Sequence, residues 1–139
     1  MKKIIIIPTY NEKNNIKILI NKIIKLYNSK FNILIVDDNS PDGTLEQVRL
    51  LKKKYKFIDF ISRKKKLGIG SAHKIALKYV YKQKFQIAIT MDADGTHDPR
   101  SIKKFLEKIK DNDLITTNRF LKKNSLVQWP IHRRILTGF

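Results

Sequence analysis

Apolar residues fall in two alternating rhythms along this chain. Residues 4–7, 31–36, 57–61 and 87–91 are short, nearly continuous runs of aliphatic and aromatic side chains. Runs of four to eight such residues, rich in isoleucine and valine, predict strands buried on both faces. Between them the spacing changes to three and four. Ile16, Leu19, Ile20, Ile23, Ile24 and Tyr27 make one stripe, and Leu45, Val48, Leu51 and Tyr55 a second. Ala72, Ile75, Ala76, Tyr79 and Val80 make a third, and Ile102, Phe105, Leu106 and Ile109 a fourth. Each predicts a helix with one inward face. Pro8 has no N–H to give a ladder, so the first strand is expected to stop there. Asn11 is expected to cap the first helix, with Glu12 either in its positive first turn or facing a ligand. Asp98 and Pro99 predict the start of the helix after residue 98. Residues 113–117 predict a further strand, residues 122–128 a polar loop, and residues 129–134 the approach to a last helix. Strand and helix alternate throughout, which predicts an α/β fold: one domain over residues 1–139, with a mostly parallel sheet, helices on both faces and right-handed crossovers.

The polar clusters fall just after the predicted strands. They are residues 8–12, 37–42, 92–98 and 118–119. The carboxyl edge of an open α/β sheet is where ligands bind, so four clusters there predict one site. The densest chemistry is Asp92-Ala93-Asp94. Side chains two apart on an extended chain leave on the same side, and two like charges there repel unless a cation joins them. Hard divalent ions such as Mg²⁺ and Mn²⁺ take oxygen ligands, and Mg²⁺ often uses one or two carboxylates plus substrate phosphates. The competing reading is two acids solvated in a loop. His97 and His132 suit a ligand, a base or a structural role. Gly68 and Gly70 allow a tight turn after the basic run at residues 63–66, but lack the spacing of a dinucleotide fingerprint.

Composition narrows the partners. The chain has 139 residues, enough for one sizeable core, and 42% of them are hydrophobic. It has no cysteine, which excludes disulfides and cysteine-based zinc sites. No apolar run approaches the roughly 20 residues that span a bilayer, and residues 4–7 are too short for a secretory leader, so they read as a strand. The net charge of +18 favours anionic partners: phosphorylated substrates, anionic lipid headgroups or nucleic acid. The lysines are spread along the helices, and no arginine-rich arm, zinc-finger spacing or RNA-binding aromatic pattern occurs. No nucleic-acid partner is expected. Peripheral contact with an anionic membrane at its cytoplasmic face is expected, with residues 63–66 contributing.

Several motifs occur in a set order: Ile-Pro-Thr-Tyr-Asn-Glu at 7–12, Val-Asp-Asp-Asn-Ser-Pro-Asp-Gly-Thr at 36–44, the glycine turn at 67–72, Met-Asp-Ala-Asp at 91–94, Asn-Arg-Phe at 118–120 and Trp-Pro-x-x-Arg at 129–133. In these the chain resembles the family 2 glycosyltransferases of GT-A fold, most of all the dolichyl-phosphate (polyprenol-phosphate) mannosyltransferase branch. The resemblance implies that Pro8, Tyr10, Glu12, Val36 and Asp38 line the base and ribose of a nucleotide sugar. It implies that Asp92, Ala93 and Asp94 hold the diphosphate, with Asp92 and Asp94 on the metal. Asp94, Arg119 and Arg133 would be the catalytic set, the two arginines on the phosphate side. Thr96 stands where relatives often carry Gln or Ser, and Asn118 and Phe120 replace the usual Ser and Tyr. The family's catalytic domain continues past the point where this chain stops. The resemblance therefore implies the nucleotide-sugar part of an enzyme, with the acceptor-side portion missing.

The activity implied is inverting transfer of a sugar, mannose from GDP-mannose, to a polyprenol phosphate, with Mg²⁺ or Mn²⁺. A lipid phosphate is already anionic at neutral pH. It needs no base to remove a proton, only cations to bring two anions together, and arginine grips phosphate bidentately. Trp129 fits either core or an interfacial anchor. The alternatives are a UDP-sugar donor and a non-catalytic fragment that binds nucleotide or lipid phosphate.

Overall fold

A computed structural model describes residues 1–116. They form two compact units, Met1–Lys103 and a second that begins at Lys104. The first unit holds β1 (Lys3–Thr9), α1 (Lys13–Tyr27), β2 (Asn32–Asp37), α2 (Thr44–Lys54), β3 (Ile58–Ser62), α3 (Ile69–Lys82) and β4 (Ile87–Thr90). A 3-10 turn at Pro99–Ser101 then leads into α4 (Ile102–Lys108). In the second unit a further 3-10 turn, Ile109–Asp111, ends α4.

The sheet is parallel, in the order β3-β2-β1-β4. From β1 the chain steps outward to β2 and β3, then returns past both to pair β4 with the other side of β1. Right-handed crossovers put α1 and α2 on one face and α3, on the reversed step, on the other. Side-chain parity agrees. Ile4, Ile6, Leu34 and Val36 pack with Ala72 and Ala76 of α3. Ile5, Ile7, Ile33 and Ile35 point the opposite way and are equally buried. They lie under the layer of α1 and α2, which brings in Ile16, Leu19, Ile20, Ile23, Val48 and Leu51. The continuous apolar runs are thus strands covered on both faces, as their composition requires.

Four local expectations are corrected. The first strand does not stop at Pro8. Ile6 O accepts Met91 N at 3.0 Å, so Ile6 turns its peptide groups toward β4. Pro8, two residues on, faces the same side, where the β4 ladder has already ended at Ile6↔Thr90. Its missing N–H costs no bond, and β1 runs on to Thr9. Asn11 does not cap α1: its φ of 60° places it in the left-handed turn that follows β1, and Glu12 is the capping position without a side-chain cap bond. β4 is not buried on both faces. Ala88 and Thr90 are exposed and Ile87 and Ile89 half-buried, because among the described residues β4 pairs only with β1. Finally, residues 113–116 form no strand, and Leu114 is 83% exposed. Among the described residues this stretch has no ladder partner, and pairing is what makes an extended segment a strand.

Among the described residues β3 is an edge strand, and Asp59 closes its outer side. It accepts Lys52 Nζ of α2 at 2.9 Å and Tyr79 Oη of α3 at 2.9 Å, joining the two helical layers around the sheet edge. Partial burial opposes ionisation of Asp59, but bonds from Lys52, Tyr79 and the Phe60 amide outweigh it and hold the carboxyl below its usual range. Burial and the same carboxylate push Tyr79 up to about 12. A lowered carboxyl stabilises the fold above its unfolded pKa of about 4, and that stability is lost as pH falls through the folded value. A raised tyrosine stabilises below its unfolded pKa of about 10, and that stability is lost as pH climbs through about 12. Urea titrations should therefore show Asp59→Asn flattening the acid limb of the stability profile and Tyr79→Phe the alkaline limb. The effect should be small, since the side chains of Lys52 and Asp59 are 44% and 43% exposed. Unchanged limbs in both variants would contradict this assignment.

Candidate functional site

The strand order sets the place. β1 has its outgoing connection on one side and β4 on the other, so the crevice beyond their carboxyl ends is the topological switch point of the sheet. Residues 10–12 leave β1 there, residues 91–98 leave β4, and residues 38–42 leave the neighbouring β2.

The first wall is built by mutual capping. The amides that open α1 have no helical partners. They find them in the loop between β2 and α2: Asn11 N donates to Ser40 Oγ at 3.0 Å, Glu12 N to Thr44 Oγ1 at 2.9 Å and Lys13 N to Asp42 Oδ2 at 3.0 Å. Asp42 Oδ1 accepts Thr44 N, which starts α2. Slight burial opposes ionisation of Asp42, but bonds from Thr44 and Lys13 hold its carboxyl below the usual range. Asp37 is fully buried and takes Thr9 Oγ1 at 3.0 Å and Ser40 N at 3.0 Å. The acids at 37 and 42 are thus structural, and Glu12 turns back onto Asn15 Nδ2 at 2.8 Å.

Asp38 ends β2 and is 4% exposed. Its carboxylate pairs with the Arg63 guanidinium and accepts Leu67 N at 3.1 Å and Gly68 N at 3.0 Å. Arg63, 7% exposed, also donates to Ser71 Oγ at 2.6 Å and to Gly68 O at 3.0 Å. This overturns one expectation. Arg63 is not part of an available basic run, because a buried carboxylate neutralises it and its further bonds hold Ser71 and Gly68. Lys64, Lys65 and Lys66 remain exposed. Gly68, with φ of 84°, sits where the chain turns into α3, a conformation that costs other residues strain.

The opposite wall is the acidic turn. β4 ends at Thr90, and Ala93 and Asp94 already lie in a turn. Ala93 is buried, whereas Asp92 is half-buried and Asp94 exposed, so the two acids stay on the side away from the core. Asp92 N donates to Nδ1 of His97 at 3.0 Å, and His97 Nε2 lies 3.7 Å from Asp92 Oδ2. His97 therefore shapes this loop. Asp94 Oδ1 accepts Thr96 N at 2.9 Å and Thr96 Oγ1 at 2.7 Å, which leaves Oδ2 for a ligand. Partial burial opposes ionisation of Asp94, but the two Thr96 bonds outweigh it and hold the carboxyl below the usual range. The loop is moored at its far end, where Tyr27 Oη donates to Pro99 O at 2.9 Å and Asp98 accepts Arg100 N at 3.0 Å as the expected cap.

The described residues hold no cluster of three or more acidic, histidine or cysteine side chains able to enclose a metal. That fits a hard ion of the Mg²⁺ type, which keeps waters and substrate oxygens and needs only one or two protein carboxylates.

Of the residues singled out in the sequence, Tyr10, Glu12, Asp38, Asp92 and Asp94 follow the carboxyl ends of three adjacent strands, and Pro8 is the last residue but one of β1. Val36 is completely buried against α3, and Ala93 is buried too, so each can offer a ligand its backbone only. Arg119 and Arg133, with Asn118, Phe120, Trp129 and His132, lie outside the described residues. Two features were not foreseen: the Asp38–Arg63 pair and the contact of Lys66 Nζ with the Tyr10 ring, 3.8 Å from its centroid. Both join residues far apart in the chain, and only the glycine turn at 67–72 hinted that this loop approaches another backbone.

The arrangement is the GT-A fold, and the glycosyl transferase family 2 model matches residues 4–139. The chain belongs to the family 2 glycosyltransferases. Among its relatives, the dolichol-phosphate mannosyltransferase of Pyrococcus furiosus is 34% identical over 139 residues, covering 99% of this chain and 38% of the relative. The undecaprenyl-phosphate mannosyltransferase of Micrococcus luteus is 28% identical, covering 99% of this chain and 56% of the relative. The chain thus spans about 40 to 60% of the length of these two relatives. Among solved structures, the mannosyltransferase PcManGT of Pyrobaculum calidifontis, in complex with GDP-Man and Mn²⁺, superposes with a TM-score of 0.69 at 21% identity, over 90% of this chain and 38% of that one. Residues 1–349 of S. aureus TarS superpose with a TM-score of 0.63 at 22% identity, over 88% and 40%. At these identities the superpositions establish the fold.

Proposed function

We propose that this chain is the nucleotide-sugar-binding part of a polyprenol-phosphate mannosyltransferase. It would take GDP-mannose and, with Mg²⁺ or Mn²⁺, pass mannose to a polyprenol phosphate with inversion. The observation that carries the reading is the meeting of residues 10–12, Asp38 and the Asp92-Ala93-Asp94 turn at one switch point, in a chain whose relatives are named as mannosyltransferases acting on polyprenol phosphates. Asp92 and the open oxygen of Asp94 would hold the ion, which when bound supplies positive charge to the departing nucleoside diphosphate. Tyr10 and the backbone at Val36 would border the base and ribose. Arg119 and Arg133 would offset the repulsion between the donor's diphosphate and the acceptor's phosphate and so let the two anions approach.

Thermal shift checks the donor. GDP with Mn²⁺ should raise the melting temperature more than UDP with Mn²⁺, since a ligand stabilises in proportion to the logarithm of its concentration over Kd. A larger shift with UDP would move the assignment to a UDP-sugar donor, a reading favoured by the similarity to TarS, which has been solved with UDP-GlcNAc.

Peripheral membrane contact is the second part of the proposal. Among the described residues no helix is long and apolar enough to cross a membrane. α1 carries four lysines and no acidic residue, and Lys64 to Lys66 are exposed. Each basic residue near an anionic surface contributes about 1 kcal/mol, screened by salt. The chain should co-sediment with anionic vesicles at low salt, and charge reversal at Lys64 and Lys65 should weaken this. Equal binding to neutral vesicles would contradict it.

A further inference from the structure

We propose that Asp94 is a site of spontaneous backbone modification: its carboxyl condenses with the amide of Gly95 and reopens as isoaspartate, so that the unliganded turn loses an acid with age. The modification stands on the geometry of the turn. Its meaning for the ion rests on the nucleotide-sugar reading.

The chemistry needs a carboxyl group and a following backbone nitrogen that can reach it. Gly95 N closes onto Asp94 Cγ and forms a C–N bond, while the carboxyl hydroxyl leaves as water with the amide proton. Water then reopens the succinimide ring. Cleavage at the side-chain carbonyl restores aspartate. Cleavage at the main-chain carbonyl leaves the chain running through Cβ and Cγ, which is isoaspartate. Glycine in second place favours closure, because it has no Cβ to crowd the nitrogen and turns easily.

The sequence has two Asp-Gly pairs, Asp42-Gly43 and Asp94-Gly95. The fold restrains the first. Asp42 Oδ1 accepts Thr44 N and Thr44 Oγ1, and Oδ2 accepts Lys13 N, so both oxygens are engaged. Gly43 O accepts Gln47 N at 3.3 Å at the start of α2, and the Lys13 side chain lies across Gly43, 3.4 Å from where a Cβ would stand. The second pair has less to hold it. Asp94 Oδ1 accepts from Thr96 as Asp42 Oδ1 does from Thr44, but Oδ2 accepts from no donor among the described residues. Asp94, Gly95 and Thr96 are all exposed and lie in a turn outside any helix or strand. Nothing lies within 4 Å of where a Cβ of Gly95 would be. Both carboxyls are held below their usual range, so ionisation does not separate the two pairs. Freedom to move does, and chemical change concentrates at exposed loop tips.

Isoaspartate adds a methylene to the main chain between Ala93 and Gly95 and shortens the carboxylate arm by the same group. The open oxygen of Asp94 then leaves its place, and the Thr96 bonds that set it are lost. An ion that relies on one or two protein carboxylates loses much of its protein hold when one moves.

The test ages the 139-residue chain in neutral buffer at physiological temperature, with and without GDP and Mn²⁺. Isoaspartyl methyltransferase labelling and peptide mapping by electron-transfer mass spectrometry locate the product. Without ligand, conversion at Asp94 should be on the order of tenfold faster than at Asp42, the rate equivalent of the extra bond to a charged group that Asp42 must break. Gly95→Asn should slow conversion at position 94 and leave Asp42 as it was, since asparagine tolerates the left-handed turn but crowds the nitrogen. Its circular dichroism should match the wild type. GDP with Mn²⁺ should slow conversion at Asp94, and the aged chain should lose Mn²⁺-dependent GDP binding in proportion to its isoaspartate there. Conversion at Asp94 no faster than at Asp42, or unaltered in Gly95→Asn, would overturn the inference. Fast conversion at Asp94 that GDP with Mn²⁺ does not slow, and that costs no GDP binding, supports the modification and counts against the nucleotide-sugar reading.

Discussion

Replacing Arg63 with methionine is expected to cost about 3–5 kcal/mol of folding stability, the range for a buried ion pair that loses one partner. The side chains of Arg63 and Asp38 are each 6% exposed. Without the guanidinium, Asp38 keeps only the amides of Leu67 and Gly68, and a carboxylate so deeply placed is costly to ionise. The turn from β3 into α3 should loosen at the same time, because Ser71 and Gly68 O lose their donors too. The double variant Asp38→Asn with Arg63→Met should recover part of the loss, since no charge is then stranded. Urea denaturation at pH 7 reads all three. A loss below about 1 kcal/mol for Arg63→Met would mean that the pair behaves like a surface contact.

Asp94→Asn is expected to remove the metal-dependent part of nucleoside diphosphate binding and leave the fold intact. The asparagine oxygen can still accept from Thr96, so the turn keeps both of those bonds. What it loses is the negative charge on the open side of the carboxyl, the property a hard divalent ion requires. Asp98→Asn makes the contrast. Asp98 caps the 3-10 turn at Pro99 and pairs with Arg100, so its loss should touch apo stability without a metal-specific effect. Titration of GDP with and without Mn²⁺ separates the two. If Asp94→Asn left the metal-dependent increment unchanged, the ion would not sit at this turn.

The sheet was legible in the sequence because its strands are covered on both faces and therefore read as unbroken apolar runs. Ile5 and Ile7 need cover on one side and Ile4 and Ile6 on the other, and only a layered α/β arrangement provides both. The location of the site was legible for the same reason: polar residues that interrupt such runs collect at strand ends. The roles of those residues were less so. Asp37, Asp38 and Asp42 look alike in sequence, yet one bonds Thr9 and Ser40, one holds Arg63 and the third caps two helices. Of those partners Thr9, Arg63 and Lys13 lie 25 to 29 residues away, and no local rule of spacing or propensity reaches across that distance. Arg63 misled for a related reason. Beside three lysines it reads as part of a basic patch, and only its depth beneath the glycine turn separates it. β4 reads as a buried strand because its composition is apolar, while its cover depends on neighbours that periodicity does not name.

The central claim is that the crevice between the ends of β1 and β4 binds a nucleoside diphosphate through an ion at Asp92 and Asp94. Paramagnetic broadening tests it most directly. With ¹⁵N-labelled chain, GDP and substoichiometric Mn²⁺, amide signals of residues 92–96 should broaden first, followed by residues 10–12 and 38–40. GDP without Mn²⁺ should shift signals of the same residues without broadening them. Broadening centred on other acids, such as Glu46 or Asp111, or broadening indifferent to GDP, would contradict the account.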